Sequence, residues 1–256
     1  MTGRDLAGEI GFAARELRAP VIGQVFAEMA DRARAEGWSH EEYLAAVLSR
    51  ETSSRNANSV KNRLRAARFP NVKTLDDFDL AAVRKAPAEL IAHLATGTWV
   101  AKADNVILLG PPGVGKTHLA IALGRKACEH GWKTVFDTAV GWAARLGDAH
   151  RYDRLGQELR RLDRYRLLVI DELGYLPFDP QQASLFFQLV AHRYERQSIL
   201  ITSNLSFARW GETLGDEIVA AATIDRLVHH AHVVAIDADS YRTRGRQAAP
   251  ARKDPA

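Results

Sequence analysis

The chain has 256 residues, of which 46% are hydrophobic and 26% are charged, the balance of a soluble globular protein. Its single cysteine, Cys128, excludes an intramolecular disulfide and the usual cysteine-based zinc and redox motifs. No apolar run reaches the roughly 18 residues of a membrane span, and no apolar signal region occurs in residues 1–20. We therefore expect a cytoplasmic protein without a membrane partner. The net charge of +4 weakly favours a polyanionic binding partner.

The first 70 residues have helical patterns. An apolar stripe at helical spacing predicts one helix, formed by Ile22, Phe26, Met29 and Ala33. Gly37 predicts the end of that helix, and Ser39 with Glu42 predicts a capping box for the next helix. Residues 1–70 are therefore predicted to form a small helical domain for DNA or a partner.

The second of these helices continues into a basic stretch. Its only acid is Glu51, and its cations are Arg50, Arg55, Lys61, Arg63, Arg65 and Arg68. Because solvated helix faces usually mix both signs of charge, this pattern favours nucleic-acid contact over a merely solvated face. The residues predicted to bind DNA are Arg55, Lys61, Arg63, Arg65 and Arg68.

From Asn105 onward, short apolar segments alternate with helical patterns. The predicted strands are Val106–Leu109, Thr134–Phe136, Leu167–Ile170, Ser198–Thr202 and Val233–Ile236. The predicted helices among them are Lys116–His130, Gln181–Arg196 and Asp216–His230. Strands joined through helices need crossover connections, which predict an α/β fold with a five-stranded parallel sheet. We therefore expect a connector at 71–98, an α/β domain at 99–245 and a basic, disordered tail at 246–256.

A glycine-rich segment joins the first predicted strand to the next helix. Residues 110–117 read GPPGVGKT, a full match to the phosphate-binding pattern G-x-x-x-x-G-K-[ST]. Backbone N–H groups and the helix start bind phosphates, the lysine neutralises them, and the threonine hydroxyl ligates Mg²⁺. The strand-and-helix context favours ATP binding over a structural turn. The predicted ATP contacts are Gly110, Pro111, Pro112, Gly113, Val114, Gly115, Lys116, Thr117 and His118.

Two acids follow the third predicted strand, where open α/β sheets place their ligands. Asp171 is predicted to hold Mg²⁺ with Thr117 and to contact the nucleotide. Glu172 is predicted to orient and deprotonate the attacking water. A helix cap and a surface acid are the alternative, which the preceding phosphate-binding loop disfavours.

Polar residues near the last two strands complete the candidate site. Asn204 follows the fourth strand and is predicted to bind the γ-phosphate or the water, with a turn-forming role as the alternative. Arg226 is either a surface ion-pair residue or a cation that reaches the ATP of a neighbouring subunit. We exclude metal binding by His229 and His230, because adjacent residues of a helix do not share a face.

The segment 145–166 is rich in arginine, with acids and two tyrosines between the arginines. Two interpretations remain open for it. One is a DNA contact, and the other is a mixed-charge helical hairpin.

These segments together resemble the IstB-like family, in the initiator and helicase-loader branch of the P-loop AAA+ (ASCE) ATPases. The resemblance rests on residues 65–70 (RAARFP), 73–79 (KTLDDFD), 105–123, 171–177 (DELGYLP), 202–204, 210–212 and 225–227. It implies an ATP-dependent homo-oligomer that binds and bends duplex DNA and delivers it to a cognate transposase. It also implies that Arg226 acts in trans and that Arg242 is a second nucleotide sensor.

This chain departs from the AAA+ pattern in two places. About twenty residues follow the fifth strand, so we expect no C-terminal helical lid domain. Residues 53–58 (SSRNAN) are also less charged than the basic helix that the resemblance implies.

Two other functions are alternatives to that of a transposition helper. A DnaC-like helicase loader would have the same ATPase core, but it would prefer single-stranded DNA and bind a replicative helicase. A metabolic kinase would need a phosphate-acceptor site and a lid, and the sequence has neither.

Overall fold

Three helices build the first of two compact units, which are Met1–Asn62 and Arg63–Ala256. The computed structural model describes residues 5–80 and 88–236. The helices are α1 (Leu6–Glu16), α2 (Pro20–Glu36) and α3 (His40–Ala67), and α3 continues into the second unit. The change of unit thus falls inside a helix, eight residues before the boundary that we expected at residue 70.

The predicted helix boundaries of the first unit are confirmed. Gly37 caps α2 in the left-handed conformation, with φ of 69°. The Ser39 N–H donates to the Glu42 carboxylate at 2.7 Å, and the Glu42 N–H donates to the Ser39 hydroxyl at 3.2 Å. This reciprocal pair is the predicted capping box at the start of α3.

A five-stranded parallel sheet forms the centre of the second unit. Its strands are β1 (Asn105–Leu109), β2 (Thr134–Thr138), β3 (Leu167–Leu173), β4 (Ser198–Ser203) and β5 (Ala231–Ala235). Their order is β2-β3-β4-β1-β5, and every neighbouring pair is parallel. The predicted fold class is confirmed. The carboxyl ends of all five strands therefore lie at one edge of the sheet.

Helices cover both faces of the sheet. They are α4 (Ala88–Ala95), α5 (Thr98–Lys102), α6 (Lys116–Glu129), α7 (Ala139–Arg151), α8 (Leu155–Leu162), α9 (Pro180–Arg193), α10 (Trp210–Leu214) and α11 (Glu217–Val228). Leu168 and Ile170 of β3 enter one hydrophobic core, while Leu167 and Val169 enter the other. This alternation explains why the strand is apolar throughout. None of the described helices is long and apolar enough to cross a bilayer.

Several predicted element ends were wrong. Strand β3 continues through Leu173, α9 ends at Arg193, and α11 ends at Val228. The fully buried Arg193 guanidinium donates to the carbonyls of Tyr165 and Ser198, both at 3.0 Å. These bonds join the end of α9 to the starts of β3 and β4.

The arginine-rich segment is a mixed-charge helical hairpin, made by α7 and α8. Glu158 accepts hydrogen bonds from Arg145 at 2.5 Å and from Arg161 at 2.7 Å. Arg151 pairs with Asp148 at 3.4 Å. Of the two interpretations, these contacts support the structural one, because they bind the cations to acids of the same hairpin.

The connector contains more structure than its sequence indicated. Helix α4 lies within it, and Thr74 and Asp77 hydrogen-bond to each other in a turn before Phe78. The ring of Phe69 packs against α6 at Gly124, where a Cβ atom would lie only 2.9 Å from the ring. Within the connector itself, the Thr74 carbonyl accepts a hydrogen bond from His118 of α6 at 2.8 Å, so the connector is packed onto the helix that follows the glycine-rich loop.

Candidate functional site

The glycine-rich loop lies between the end of β1 and the start of α6. Gly110 has a φ of 157°, and a Cβ atom there would lie 2.1 Å from the carbonyl oxygen of Ile236. Gly115 has a φ of 93°, and a Cβ atom there would meet the Phe78 ring at 3.0 Å. Side chains are therefore excluded at both positions by conformation and by space.

The ammonium group of Lys116 lies inside this loop. Its Nζ donates to the carbonyl oxygens of Gly110 at 2.8 Å and Pro111 at 2.7 Å. The cation is thus held where the backbone of the loop curls, as the phosphate-binding pattern requires. The first turn of α6 adds the positive end of a helix dipole at the same place.

Asp171 and Thr117 meet at the carboxyl edge of the sheet. The Thr117 hydroxyl donates to Asp171 Oδ1 at 3.0 Å, and the residue Asp171 is 3% exposed. A second hydroxyl, from Thr202 of β4, donates to the same oxygen at 2.6 Å. Hydroxyl and carboxylate oxygens are the ligands that Mg²⁺ prefers, so Thr117 and Asp171 fit a magnesium ion. Thr202 was not among the predicted site residues, although a threonine in an apolar strand was a usable signal.

Glu172 is turned out of the strand by a β-bulge. The register between β3 and β4 shifts between Ile170 and Leu173, and Glu172 has a φ of 62°. Its side chain is exposed, whereas those of Asp171 and Leu173 are buried. A non-glycine residue in this conformation is strained, and such strain clusters at functional sites. The bulge therefore places a solvated carboxylate next to a buried one.

Asn204 lies just beyond β4, beside Gly174. Its Oδ1 is buried and has no hydrogen-bond partner among the described residues. A Cβ atom at Gly174 would lie 3.1 Å from this oxygen, so the glycine leaves room for the amide. A buried polar atom without a partner is costly in a folded protein, and this one fits a site that a ligand completes.

The side chain of His118 faces the connector. Its Nε2–H donates to the Thr74 carbonyl at 2.8 Å, and its ring lies 5.4 Å from that of Phe78. The imidazole is therefore bonded to the connector and packed against it. The predicted ATP contact of His118 is thus left to its backbone N–H in the first turn of α6, and it stays a prediction.

Arg226 lies at the opposite edge of the sheet from the glycine-rich loop. Arg226 lies near the end of α11, the helix that leads into β5. The carbonyl of Leu227, the residue after Arg226, accepts a hydrogen bond from the side chain of Asn105 at the start of β1. Strand β1 separates that edge from Gly110 by roughly 17 Å, at about 3.3 Å per residue. Arg226 donates to the Ala222 carbonyl at 2.9 Å, and its guanidinium lies 4.8 Å from the Phe187 ring centroid. The structure does not bring Arg226 to the loop of its own chain.

Two of the five predicted DNA-binding residues have structural contacts instead. Arg55 pairs with Glu51 at 2.7 Å and donates to the carbonyl of Arg18 at 2.6 Å, after α1 ends. Arg63 donates to the carbonyl of Cys128 at 2.7 Å, near the end of α6. Their guanidinium groups bind helix ends, which gives both residues a structural role, while their DNA contact stays a prediction. Lys61, Arg65 and Arg68 are exposed.

The contact between Glu51 and Arg55 also lowers the pKa of the Glu51 carboxyl group. Its carboxylate also accepts the N–H groups of Val21 at 2.9 Å and Ile22 at 3.3 Å, at the start of α2. The hydrogen bond from Arg55 is the main cause that holds the pKa of Glu51 below its ordinary value. The lone acid of the basic stretch is thus a buried helix cap.

His229 and His230 lie side by side, contrary to the prediction that they do not share a face. Helix α11 ends at Val228 with His229 as its C-cap, so His230 lies beyond the helix. Their ring centroids lie 4.3 Å apart, and both rings approach Glu195. The predicted nucleotide sensor Arg242 and the tail 246–256 lie outside the described residues.

Comparison with known proteins places the chain among insertion-sequence proteins. A family model described as IstB-like ATP binding protein matches residues 12–249. The "Insertion sequence IS21 putative ATP-binding protein" of Pseudomonas aeruginosa is 43% identical over 211 residues, covering 82% of this chain and 80% of that protein. The "Insertion sequence IS5376 putative ATP-binding protein" of Geobacillus stearothermophilus is 38% identical over 228 residues, covering 89% and 91%.

Solved structures share the fold of about two thirds of the chain. AMPPCP-bound DnaA from Aquifex aeolicus superposes with a TM-score of 0.53 at 19% identity, covering 69% of this chain and 54% of that one. DnaI superposes with a TM-score of 0.51 at 19% identity, covering 70% and 92%. These likenesses concern the fold alone. The chain belongs to the IstB-like ATP binding protein family, and its α/β unit has the AAA+ fold.

Proposed function

We propose that the chain is a Mg²⁺-dependent ATPase that assembles with itself on duplex DNA and assists the transposase of an insertion sequence. The observation that carries the ATPase part is the meeting of Thr117 and Asp171 beside an outward-turned Glu172. The insertion-sequence names of the relatives support transposition as the process served.

Hydrolysis would use groups of this chain at the carboxyl edge of the sheet. Glu172 takes a proton from a water whose oxygen attacks the γ-phosphorus. The bond from that phosphorus to the β–γ bridging oxygen breaks, and ADP leaves with the oxygen. Lys116 neutralises phosphate charge, and the Asn204 amide orients the γ-phosphate or the water. Mg²⁺, when held by Thr117 and Asp171, neutralises charge on the phosphate oxygens.

The position of Arg226 supports completion of this site by a second subunit. Its backbone lies beside the start of β1, away from its own loop, so we propose that it serves the loop of a neighbour. An arginine supplied in trans stabilises the charge that spreads over the transferred phosphoryl group. ATP hydrolysis would then depend on self-assembly.

DNA contact is proposed for the exposed cations of α3 and the residue after it. Lys61 and Arg65 are four residues apart and so share a face of the helix. Arg68 follows the end of α3 and is also exposed. Within the described part of the chain these cations have no structural side-chain bond, and exposed cations are suited to phosphate contacts, which carry most of the non-specific affinity for DNA.

One assembly experiment tests this function. The purified chain is mixed with ATP and Mg²⁺ and with duplex or single-stranded DNA of equal length, and its mass is measured by sedimentation. We expect ATP-dependent oligomers on the duplex and stimulation of strand transfer by the transposase of the same insertion sequence. Failure to bind duplex DNA with ATP would overturn the proposal. A preference for single strands, with capture of a replicative helicase, would favour a helicase loader.

A further inference from the structure

The hydroxyl of Thr202 contacts two acidic residues of the candidate ATPase site, Asp171 through its carboxylate and Glu172 through its backbone N–H. This side chain of β4 is 1% exposed. Its Oγ1 donates to Asp171 Oδ1 at 2.6 Å and accepts the backbone N–H of Glu172 at 2.9 Å. A hydroxyl has one proton to donate and lone pairs to accept with, so these two bonds fix its orientation.

The bond to Glu172 replaces a bond that the bulge removes. The register shift between Ile170 and Leu173 interrupts the regular ladder between β3 and β4. The N–H of Glu172 is bonded by the Thr202 side chain at that point. The left-handed backbone of Glu172 is unfavourable for a residue with a side chain and persists only where its surroundings hold it.

The bond to Asp171 is shared with Thr117. Both hydroxyls donate to the same carboxylate oxygen, from α6 and from β4. A Thr117 hydroxyl that ligates a metal turns its lone pairs to the ion. Thr202 has no such second task, because its other bond is to the backbone.

We propose that Thr202 is a positioning residue, which holds Asp171 for metal binding and Glu172 for water activation. This inference rests on the proposed ATPase function. It predicts that the Thr202 hydroxyl acts through these two acids and not through contact with the nucleotide.

The test compares Thr202→Val, which removes the hydroxyl at nearly constant volume, with Thr202→Ser, which keeps it. Thr134→Val is the matched control, since Thr134 is also a buried strand threonine but lies at the opposite edge of the sheet. Mn²⁺ binding in the presence of a non-hydrolysable ATP analogue is measured by electron paramagnetic resonance, and kcat and KM are measured separately.

For Thr202→Val we expect Mn²⁺ affinity and kcat to fall by about 10- to 100-fold, as for other residues behind metal ligands. Nucleotide affinity without metal should stay unchanged, and Thr202→Ser should restore both quantities. Equal Mn²⁺ affinity in Thr202→Val and Thr134→Val would overturn the inference. If Thr202→Val does not fold, Thr202→Ser alone tests the inference. Because serine keeps the hydroxyl, a loss of Mn²⁺ affinity and kcat in Thr202→Ser would overturn it. If the native chain binds Mn²⁺–nucleotide without hydrolysing it, the ATPase proposal fails while the metal readout still tests Thr202.

A second cluster lies away from the glycine-rich loop. Glu195 follows α9, and His229 and His230 follow α11. Glu195 Oε1 lies 3.7 Å from His229 Nδ1 and 3.6 Å from His230 Nε2. The three ligand atoms all lie within 4.8 Å of one another. Tyr194 is hydrogen-bonded to the same Nδ1 atom of His229 at 2.9 Å, a bond that a metal ion on this nitrogen would replace.

The donor set and its spacing suit a zinc ion. Tetrahedral Zn²⁺ with bonds of about 2.0–2.1 Å separates its ligand atoms by about 3.3 Å, close to both Glu195 distances. Two imidazoles and a carboxylate favour Zn²⁺ over Mg²⁺. All three side chains are more than half exposed, which leaves a coordination position for water.

We infer that Glu195, His229 and His230 form a Zn²⁺ site that joins the end of α9 to the end of α11. Its test is calorimetric titration of the tag-free full chain with Zn²⁺, followed by Co²⁺ absorption spectroscopy. We expect a saturable site with a tetrahedral Co²⁺ spectrum. Affinity should fall at least about tenfold in His230→Ala and in Glu195→Gln, but not in the control His150→Ala. Equal Zn²⁺ affinity in His230→Ala and His150→Ala would overturn the inference.

Discussion

The Thr117 hydroxyl donates to Asp171 Oδ1 at 3.0 Å, which joins the first turn of α6 to β3 across the carboxyl edge of the sheet. The two residues are far apart in the sequence, and the parallel order of the strands brings them together. This contact places two predicted Mg²⁺ ligands in one site. It also brings them next to the strained Glu172, on which the first prediction depends.

Glu172→Gln should retain ATP binding and lose hydrolysis. The amide keeps the size of the side chain but cannot accept the proton of the attacking water, so kcat should fall by about 100- to 10,000-fold. Phosphate release and the binding of a fluorescent ATP analogue are measured in parallel. Lys116→Ala should instead lose analogue binding, because it removes the phosphate-neutralising cation. Glu129→Gln, at the exposed end of α6, is the control. A Glu172→Gln variant with normal turnover would show that another group is the base.

Arg226→Ala should bind ATP but hydrolyse it about 1,000-fold more slowly, within the range for loss of a trans-acting arginine. Mixing it with Glu172→Gln tests the subunit boundary. Some mixed sites would combine an intact Glu172 from one variant with an intact Arg226 from the other, so turnover should return. Arg196→Ala is the control for loss of an arginine. A mixture as inactive as each variant alone would exclude action in trans. Thermal unfolding checks that the Phe187 contact is not the cause.

The basic residues should separate into two classes. Lys61→Gln and Arg65→Gln should weaken duplex binding and lower the salt dependence of affinity by about 0.9 per lost phosphate contact. Arg55→Gln and Arg63→Gln should instead lower the unfolding temperature, because their guanidinium groups bind carbonyls at helix ends. Affinity is measured by fluorescence anisotropy over a salt series. Salt slopes that fall equally in all four variants would contradict this division.

Arg193→Met should destabilise the second unit by about 3–5 kcal/mol, because several buried carbonyls lose their donor. Burial lowers the pKa of Arg193 to about 9, so the side chain is still charged at neutral pH. Urea unfolding followed by tryptophan fluorescence measures the change. Arg196→Met, on an exposed side chain three residues later, should cost little. Similar unfolding midpoints for the two variants would refute the proposed role of Arg193.

The sheet was predictable because its central strands are buried on both faces. Runs such as Leu167–Ile170 are apolar throughout, and a glycine-rich loop between a strand and a helix has few structural alternatives. The bulge at Glu172 was not predictable, since it depends on the register between β3 and β4. The structural roles of Arg55 and Arg63 were missed for a related reason. Their acceptors are distant in the sequence, and charge patterns record only near neighbours.

The ends of α11 and α9 illustrate a second limit. Continuing α11 to His230 put the two histidines on different helix faces, whereas its end at Val228 lets them meet beside Glu195. A difference of two residues in a helix boundary thus reversed a conclusion about chemistry. Helix ends are the least certain part of a sequence-based prediction, and polar side chains near them are affected most.

Arg226 and the glycine-rich loop lie at opposite edges of one sheet, and this has a consequence for symmetry. Under the proposed action in trans, the edge with Arg226 docks against the loop edge of the next copy, so the contact is head-to-tail. Such a heterologous contact cannot be satisfied by a two-fold dimer, because each copy would keep one unpaired edge. Copies must then add until the rotation closes a ring, or continue as an open helix along the DNA.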